Sequence, residues 1–125
     1  MMLLLLLFVL FYVVLQDKTI KVTVNDLVKS YSSDSRQADK KFLNKEIELS
    51  GKVKSFFQFE ADKSLLELET GNSELQLFCL LMNKETEEKA SSITVGSTVT
   101  VFGKCLGIKD YKFPNSIYIE TELIK

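Results

Sequence analysis

The residue types able to do chemistry in this sequence gather in one short stretch. Gly107-Ile108-Lys109-Asp110-Tyr111-Lys112-Phe113-Pro114-Asn115 interleaves two aromatics with two lysines. Tyr111 and Phe113 offer faces for stacking, and Lys109 and Lys112 offer ammonium groups for phosphate or hydroxyl oxygens. The same composition also suits an ordinary loop whose aromatics fold back on the body of the protein. Phe78 belongs with this set, because it shares the outer face of a strand with Gln76, Leu80 and Met82. That much outward apolar surface calls for cover or for a ligand. Glu67, Glu69 and Glu74 lie on or beside the same outer face and oppose a polyanion. A second grouping brings Lys52, Lys54 and Phe56 together with Phe102 and Lys104; the alternative there is phenylalanines packed under helices and lysines left in solvent. Cys79 and Cys105 are the two thiols. Outside the cytoplasm they could bridge if their Cα atoms approach within about 7 Å, and otherwise they are two small buried hydrophobes.

What is missing limits the chemistry as much as what is present. There is no His, so the commonest general base and the commonest neutral metal ligand are both absent. Two Cys are too few for a four-thiolate zinc site, and their spacing is not that of a redox C-x-x-C pair. No metal, cofactor or catalysis is expected. A net charge of −1 gives no global field toward nucleic acid, which is an unfavoured though open partner.

The elements that must position these residues are mostly strands. Lys45 to Glu60 alternates Ile47, Leu49, Val53 and Phe57 on one parity with Glu48, Ser50, Lys52, Lys54 and Gln58 on the other. Gly51, on the inward parity, marks a bend in this first long strand. Strand two spans Ser64 to Thr70 with Leu66 and Leu68 inward, and strand three spans Glu74 to Met82 with Leu75, Leu77, Cys79 and Leu81 inward. Asn83 can cap a helix from Lys84 to about Ser92. Strand four, Thr98 to Cys105, turns Val99, Val101 and Cys105 inward; a loop from Leu106 to Pro114 follows. Strand five, Ser116 to Ile124, turns Ile117, Ile119 and Leu123 inward. Before the strands, Val24, Leu27, Val28 and Tyr31 form one apolar helix face behind a Thr23–Asp26 cap, Ser30 to Ser35 breaks that helix, and Arg36 to Asn44 forms another turn or two. Three strands, a helix, then two strands is the order of the OB-fold, a five-stranded barrel.

Residues 1–15, MMLLLLLFVLFYVVL, carry no charge. About 15 apolar residues cover roughly 22 Å as a helix, which suits a signal-peptide hydrophobic region better than the roughly 30 Å of a full span. No Lys or Arg precedes the run, as if the true start lay upstream, and no small-x-small site follows it, which favours an uncleaved anchor over a cleaved signal. The division expected is 1–16 as signal or anchor, 17–23 as linker, and 24–125 as the OB-fold domain with its helical extension. Residues 1–15 then hold the membrane, and the domain stands outside the cytoplasm, either anchored or secreted.

Five features stand out between residues 27 and 107: Leu27-x-x-x-Tyr31, Ala38-Asp39-Lys40-Lys41-Phe42, Lys45-x-Ile47-x-Leu49-x-Gly51-x-Val53, Cys79, and Val95-Gly96-x-x-Val99-x-Val101-x-Gly103-Lys104-Cys105-x-Gly107. In these the stretch resembles the bacterial tRNA_anti-like family. The resemblance implies the OB-fold and an exported or membrane-attached setting, but no established activity. This chain departs from the family in having no lipobox cysteine and no third cysteine in strand five, where Thr121 or its neighbours stand. The function expected is a binding module for a protein, glycan or small molecule; the alternative is a nucleic-acid-binding OB-fold domain.

Overall fold

The computed structural model describes residues 19–60 and 63–125. The molecule is assembled on one long strand, β2 (Glu46–Glu60). The first half of β2 pairs on one edge with the antiparallel β5 (Thr98–Lys109), from Glu46↔Lys104 to Lys52↔Thr98. On its other edge lies a short parallel strand, β1 (Ile20–Thr23), in the stretch expected to be linker. Past Gly51 that edge passes to β3 (Lys63–Leu68), which pairs with β4 (Gln76–Leu81). β4 runs parallel to β6 (Ser116–Ile124), and β6 returns antiparallel to β5. The β2–β5 ladder therefore closes five strands into a barrel, with β1 as a sixth strand outside the closure. Closure leaves the five strands without the unpaired edges that invite aggregation.

Inward positions supply the core. Leu49, Leu66, Leu68, Leu77, Val101 and Ile119 are completely buried, each worth about 1.5–3 kcal/mol of transfer free energy. Three of the four ladder irregularities bear on the expected alternation. The ladder of β2 with β3 slips between Val53 and Ser55, so one extra residue reverses the parity beyond it. Phe56 consequently packs against the barrel core, and Phe57 joins a cluster on the outside. This reverses the expectation for both rings. A second slip between Leu123 and Thr121 places Ile124 inward at 5% exposure and leaves Leu123 outward at 42%. The third slip lies between Cys105 and Gly107, after which β5 continues to Lys109. The first four residues expected in the loop are thus strand.

Glycines make two close approaches. A Cβ on Gly51 would overlap the side chain of Val24, and one on Gly103 would overlap the carbonyl of Glu120. Gly51 therefore admits the first turn of α1 (Val24–Ser33) rather than simply bending its strand. α1 is capped by Thr23, whose hydroxyl accepts from the Asp26 N–H at 3.2 Å, and it buries Val24, Leu27, Val28 and Tyr31. The break expected over Ser30 to Ser35 is confined to Asp34, which caps α2 (Ser35–Phe42) by accepting from the N–H groups of Arg36 and Gln37. α3 (Lys84–Ser91) lies between β4 and β5. Asn83 accepts from the Thr86 N–H at 2.8 Å and its own N–H donates back to the Thr86 hydroxyl, a reciprocal cap. Its amide also donates to the Glu122 carbonyl at 3.1 Å, tying the helix start to the bulge in β6.

Candidate ligand-binding face

Outward side chains of four strands line up in rows because the ladders are in register. Ser55, Glu67, Phe78, Tyr118 and Gly107 form one row across β2, β3, β4, β6 and β5. The next row runs Phe57, Leu65 and Leu80. Phe78 and Tyr118 are fully buried although they face away from the barrel interior. What covers them is the β5–β6 loop. Phe113 stacks on Phe78 with ring centroids 4.5 Å apart and an interplanar angle of 12°, and it meets Phe57 at 5.4 Å.

Tyr118 holds that loop in place. Its hydroxyl donates to the Phe113 carbonyl at 2.7 Å and accepts from the Phe113 N–H at 2.9 Å. Burial pushes the phenol above its ordinary pKa, with the charge of Asp110 adding to the shift against the bond to Phe113, so the group stays a donor across the physiological range. Asp110 closes the loop by accepting from the Asn115 N–H at 2.7 Å. Asn115 itself sits at φ 51°, a conformation Asn tolerates better than most residues.

The exposed remainder of the face is smaller than the sequence suggested. Tyr111 packs edge-on against Tyr118 at 4.8 Å, yet it is 52% exposed. With Lys112, Leu80, Met82, Lys63 and Ser64 it lines a cleft of 490 Å³. Of the expected set, Tyr111 and Lys112 thus share a site. Phe78 and Phe113 form its hidden support. Lys109 is elsewhere: at the end of β5 it lines a separate 370 Å³ cavity with Tyr31, Asp39 and Asn115. Tyr118, Lys63 and Ser64 were not singled out. The signal for Tyr118 was its outward parity between Ile117 and Ile119.

Glu67 opposes a polyanion less than expected. It is only 5% exposed, it accepts from the Ser55 hydroxyl at 2.8 Å, and it pairs with Lys54 at 3.5 Å. That pairing also withdraws Lys54 from the second expected grouping. Phe56 is inward, and the register places Lys52 and Lys104 six residues apart along the β2–β5 ladder, roughly 20 Å. Phe102 lies opposite Glu48 and under the ammonium of Lys125, 5.4 Å from the ring centroid. These five residues do not form one surface.

Cys79 and Cys105 are both buried and free. Each stands opposite Ile119, one on β4 and the other on β5. Two ladder steps put their backbones about 9.6 Å apart in a flat sheet, beyond disulfide reach, so the bridge left open by the sequence does not form. Burial pushes the Cys79 thiol up to about 12 and raises that of Cys105. Cys105 instead meets the Tyr31 hydroxyl at 3.8 Å, and that hydroxyl donates to Asp39 at 2.9 Å. Burial, with Asp39 and Cys105 beside it, raises the Tyr31 phenol strongly. This cluster fastens α1 and α2 to β5 over Gly107, where a Cβ would approach the Asp39 carboxylate to 3.1 Å.

Among the described residues no group of three acidic or thiol side chains could hold a metal, and no helix is long and apolar enough to cross a membrane. Residues 1–16, expected to be signal or anchor, fall outside the described residues.

The model of the tRNA_anti-like family matches residues 3–115. Among solved structures, a candidate nucleic acid-binding lipoprotein from Klebsiella pneumoniae subsp. pneumoniae is 11% identical with a TM-score of 0.62, over 84% of this chain and 92% of that one. A candidate aspartyl-tRNA synthetase from Leishmania major is 11% identical with a TM-score of 0.60, over 83% of this chain but 20% of its own length. An OBody bound to hen egg-white lysozyme is 10% identical with a TM-score of 0.55, over 66% and 81%. The chain spans little more than half, or only a fifth, of the first solved chains it resembles. At these identities the likeness shows the fold alone. No curated protein matches.

Proposed function

The chain belongs to the tRNA_anti-like family, and from that premise we propose that it is a membrane-attached or exported OB-fold binding module for a protein partner, without catalysis. Residues 1–16 serve as its signal or anchor and residues 24–125 as its binding domain. One observation carries the choice of partner. The outer aromatic platform of β2, β4 and β6 is already filled by Phe113, and the surface left exposed is a cleft flanked by Tyr111 and Met82, 52% and 51% exposed. Binding single strands by stacking needs several exposed rings in succession, and among the side chains described on this face Tyr111 alone is a half-exposed ring. A cleft with a rigid Tyr on one wall and an adaptable Met on the other suits an apolar or aromatic side chain of a protein, since Tyr and Met are enriched at protein interfaces.

The second reading, a nucleic-acid-binding domain, is favoured by the description of the Klebsiella lipoprotein. The two separate in a titration of the full-length protein in detergent with labelled single-stranded DNA and RNA at about 150 mM salt. Weak or absent binding is expected. Micromolar or tighter binding that falls steeply with salt and is lost in Tyr111→Ala and Lys112→Ala would establish the second reading instead. For the first, a photocrosslinking amino acid in place of Tyr111 should trap one discrete protein in native membranes, while the same probe at Glu122 should not.

A further inference from the structure

A cavity larger than the cleft at Tyr111 lies away from the aromatic face. It is a groove of 810 Å³ between β1, α1 and α2. Lys21 on β1, Lys29 on α1, and Lys40 and Lys41 on α2 line it, against Asp26 and Asp34. All four lysines are exposed. Charge along the chain is divided in the same sense. Residues 17–45 hold seven Lys and Arg against four Asp, a balance of +3. Residues 46–125 hold the other nine against thirteen Asp and Glu, a balance of −4 that completes the net −1.

We propose that this basic groove docks the domain on an anionic phospholipid surface. The inference rests on the membrane attachment proposed above and goes beyond it, because an anchor alone leaves the domain free to tumble. Ile20 and Val22 form part of the groove wall, so the described chain begins on this side. Only four residues separate Leu15 from Ile20, which allows at most about 18 Å even fully extended. With residues 1–15 in the bilayer, that tether is short enough for β1 to come within one Debye length, about 8–10 Å, of the headgroups. At that range the groove is attracted and the acidic barrel repelled, which turns one face of the molecule to the membrane. Lys21 is exposed and contacts the half-buried Glu48 at 3.6 Å, a contact that headgroup phosphates can replace. Each lysine near an anionic surface is worth roughly a fivefold shift in the docked population.

The full-length protein is reconstituted into vesicles of neutral phosphatidylcholine and into vesicles with added phosphatidylglycerol. A fluorophore is placed at Gln37→Cys in the groove or at Glu88→Cys on α3, and lipids carrying headgroup quenchers report proximity. Flotation with both vesicles is expected, with the Gln37 label quenched only on anionic vesicles and the Glu88 label on neither. Quenching should vanish at about 0.5 M salt, and Lys29→Gln with Lys40→Gln should lower the docked population roughly 25-fold. A floating protein whose Gln37 label is quenched equally on both vesicles, or on neither, overturns the docking surface and leaves the attachment standing. Flotation with anionic vesicles only, lost in the lysine variant, keeps the surface and removes the anchor. No flotation with either defeats both.

Discussion

Tyr118 illustrates how one hydroxyl can decide what a protein face offers. Its O–H and the Phe113 backbone satisfy each other twice, and the result is a ring lying on Phe78 where a ligand would otherwise stack. Tyr118→Phe keeps the buried ring and removes both bonds. We expect it to cost about 1–2 kcal/mol, read as a lower urea midpoint with an unchanged slope. Faster amide exchange at Phe113 should accompany that loss. Cys79 makes a prediction at alkaline pH. Its folded thiol, raised from 9.0 to about 12 by burial, keeps its proton where the unfolded chain has lost it. The stability this represents is complete below about pH 9 and is lost as pH rises toward 12. In Cys79→Ala the decline over that window should be shallower by up to about 1.4 kcal/mol per pH unit. Tyr31 and Cys105, shifted in the same direction, keep part of the decline in place. Equal slopes in urea titrations from pH 8 to 11.5 would show that Cys79 is not the buried group assigned.

At the scale of elements, the junction of β2 with α1 is the tightest joint. Gly51 accepts the Val24 side chain into the space a Cβ would fill. Gly51→Ala should therefore destabilise by about 1–3 kcal/mol through overpacking. Val24→Ala makes room for that methyl group, so the double variant should be more stable than the sum of the two single losses, by a coupling of about 1 kcal/mol or more. Additive losses in denaturant titrations would mean that the strand bend, not the helix contact, sets the requirement for glycine. The Tyr31–Asp39–Cys105 cluster is the second joint of the same helices, and it lies where the resemblance motifs converge. Those motifs thus mark a seam between helices and barrel, and no chemistry of their own is needed to explain them.

For the whole molecule, all five barrel strands, their core and the caps of every described helix fall within residues 20–124. A chain of residues 17–125 should accordingly be soluble and unfold in one cooperative step, because the Thr23 cap and the β1–β2 ladder begin the structure without help from the apolar segment. A collapsed product without cooperative unfolding by circular dichroism would make residues 1–16 part of the core. The same partition separates two jobs. The basic groove lies at the helical end, and the cleft at Tyr111 and Met82 belongs to the barrel.

Alternation, capping and turn residues are properties of a few neighbours along the chain, and they were enough to place all five barrel strands and the helix after Asn83. Chain order then implied the OB-fold, since few closed sheets accept three strands, a helix and two strands. Bulges are different in kind. Whether the ladder slips at Val53 depends on which residues of β3 lie opposite, and nothing within KVKSFF reports that. Phe56 and Phe57 exchanged faces for this reason, and Leu123 and Ile124 did so for the same one. The candidate site followed the same division. Tyr111 and Lys112 were legible as an aromatic–lysine loop, but the stacking of Phe113 on Phe78 and the pin at Tyr118 join residues brought together only by the β4–β6 ladder. Local pattern determined which residues could line a site; long-range register decided which were left uncovered to do so.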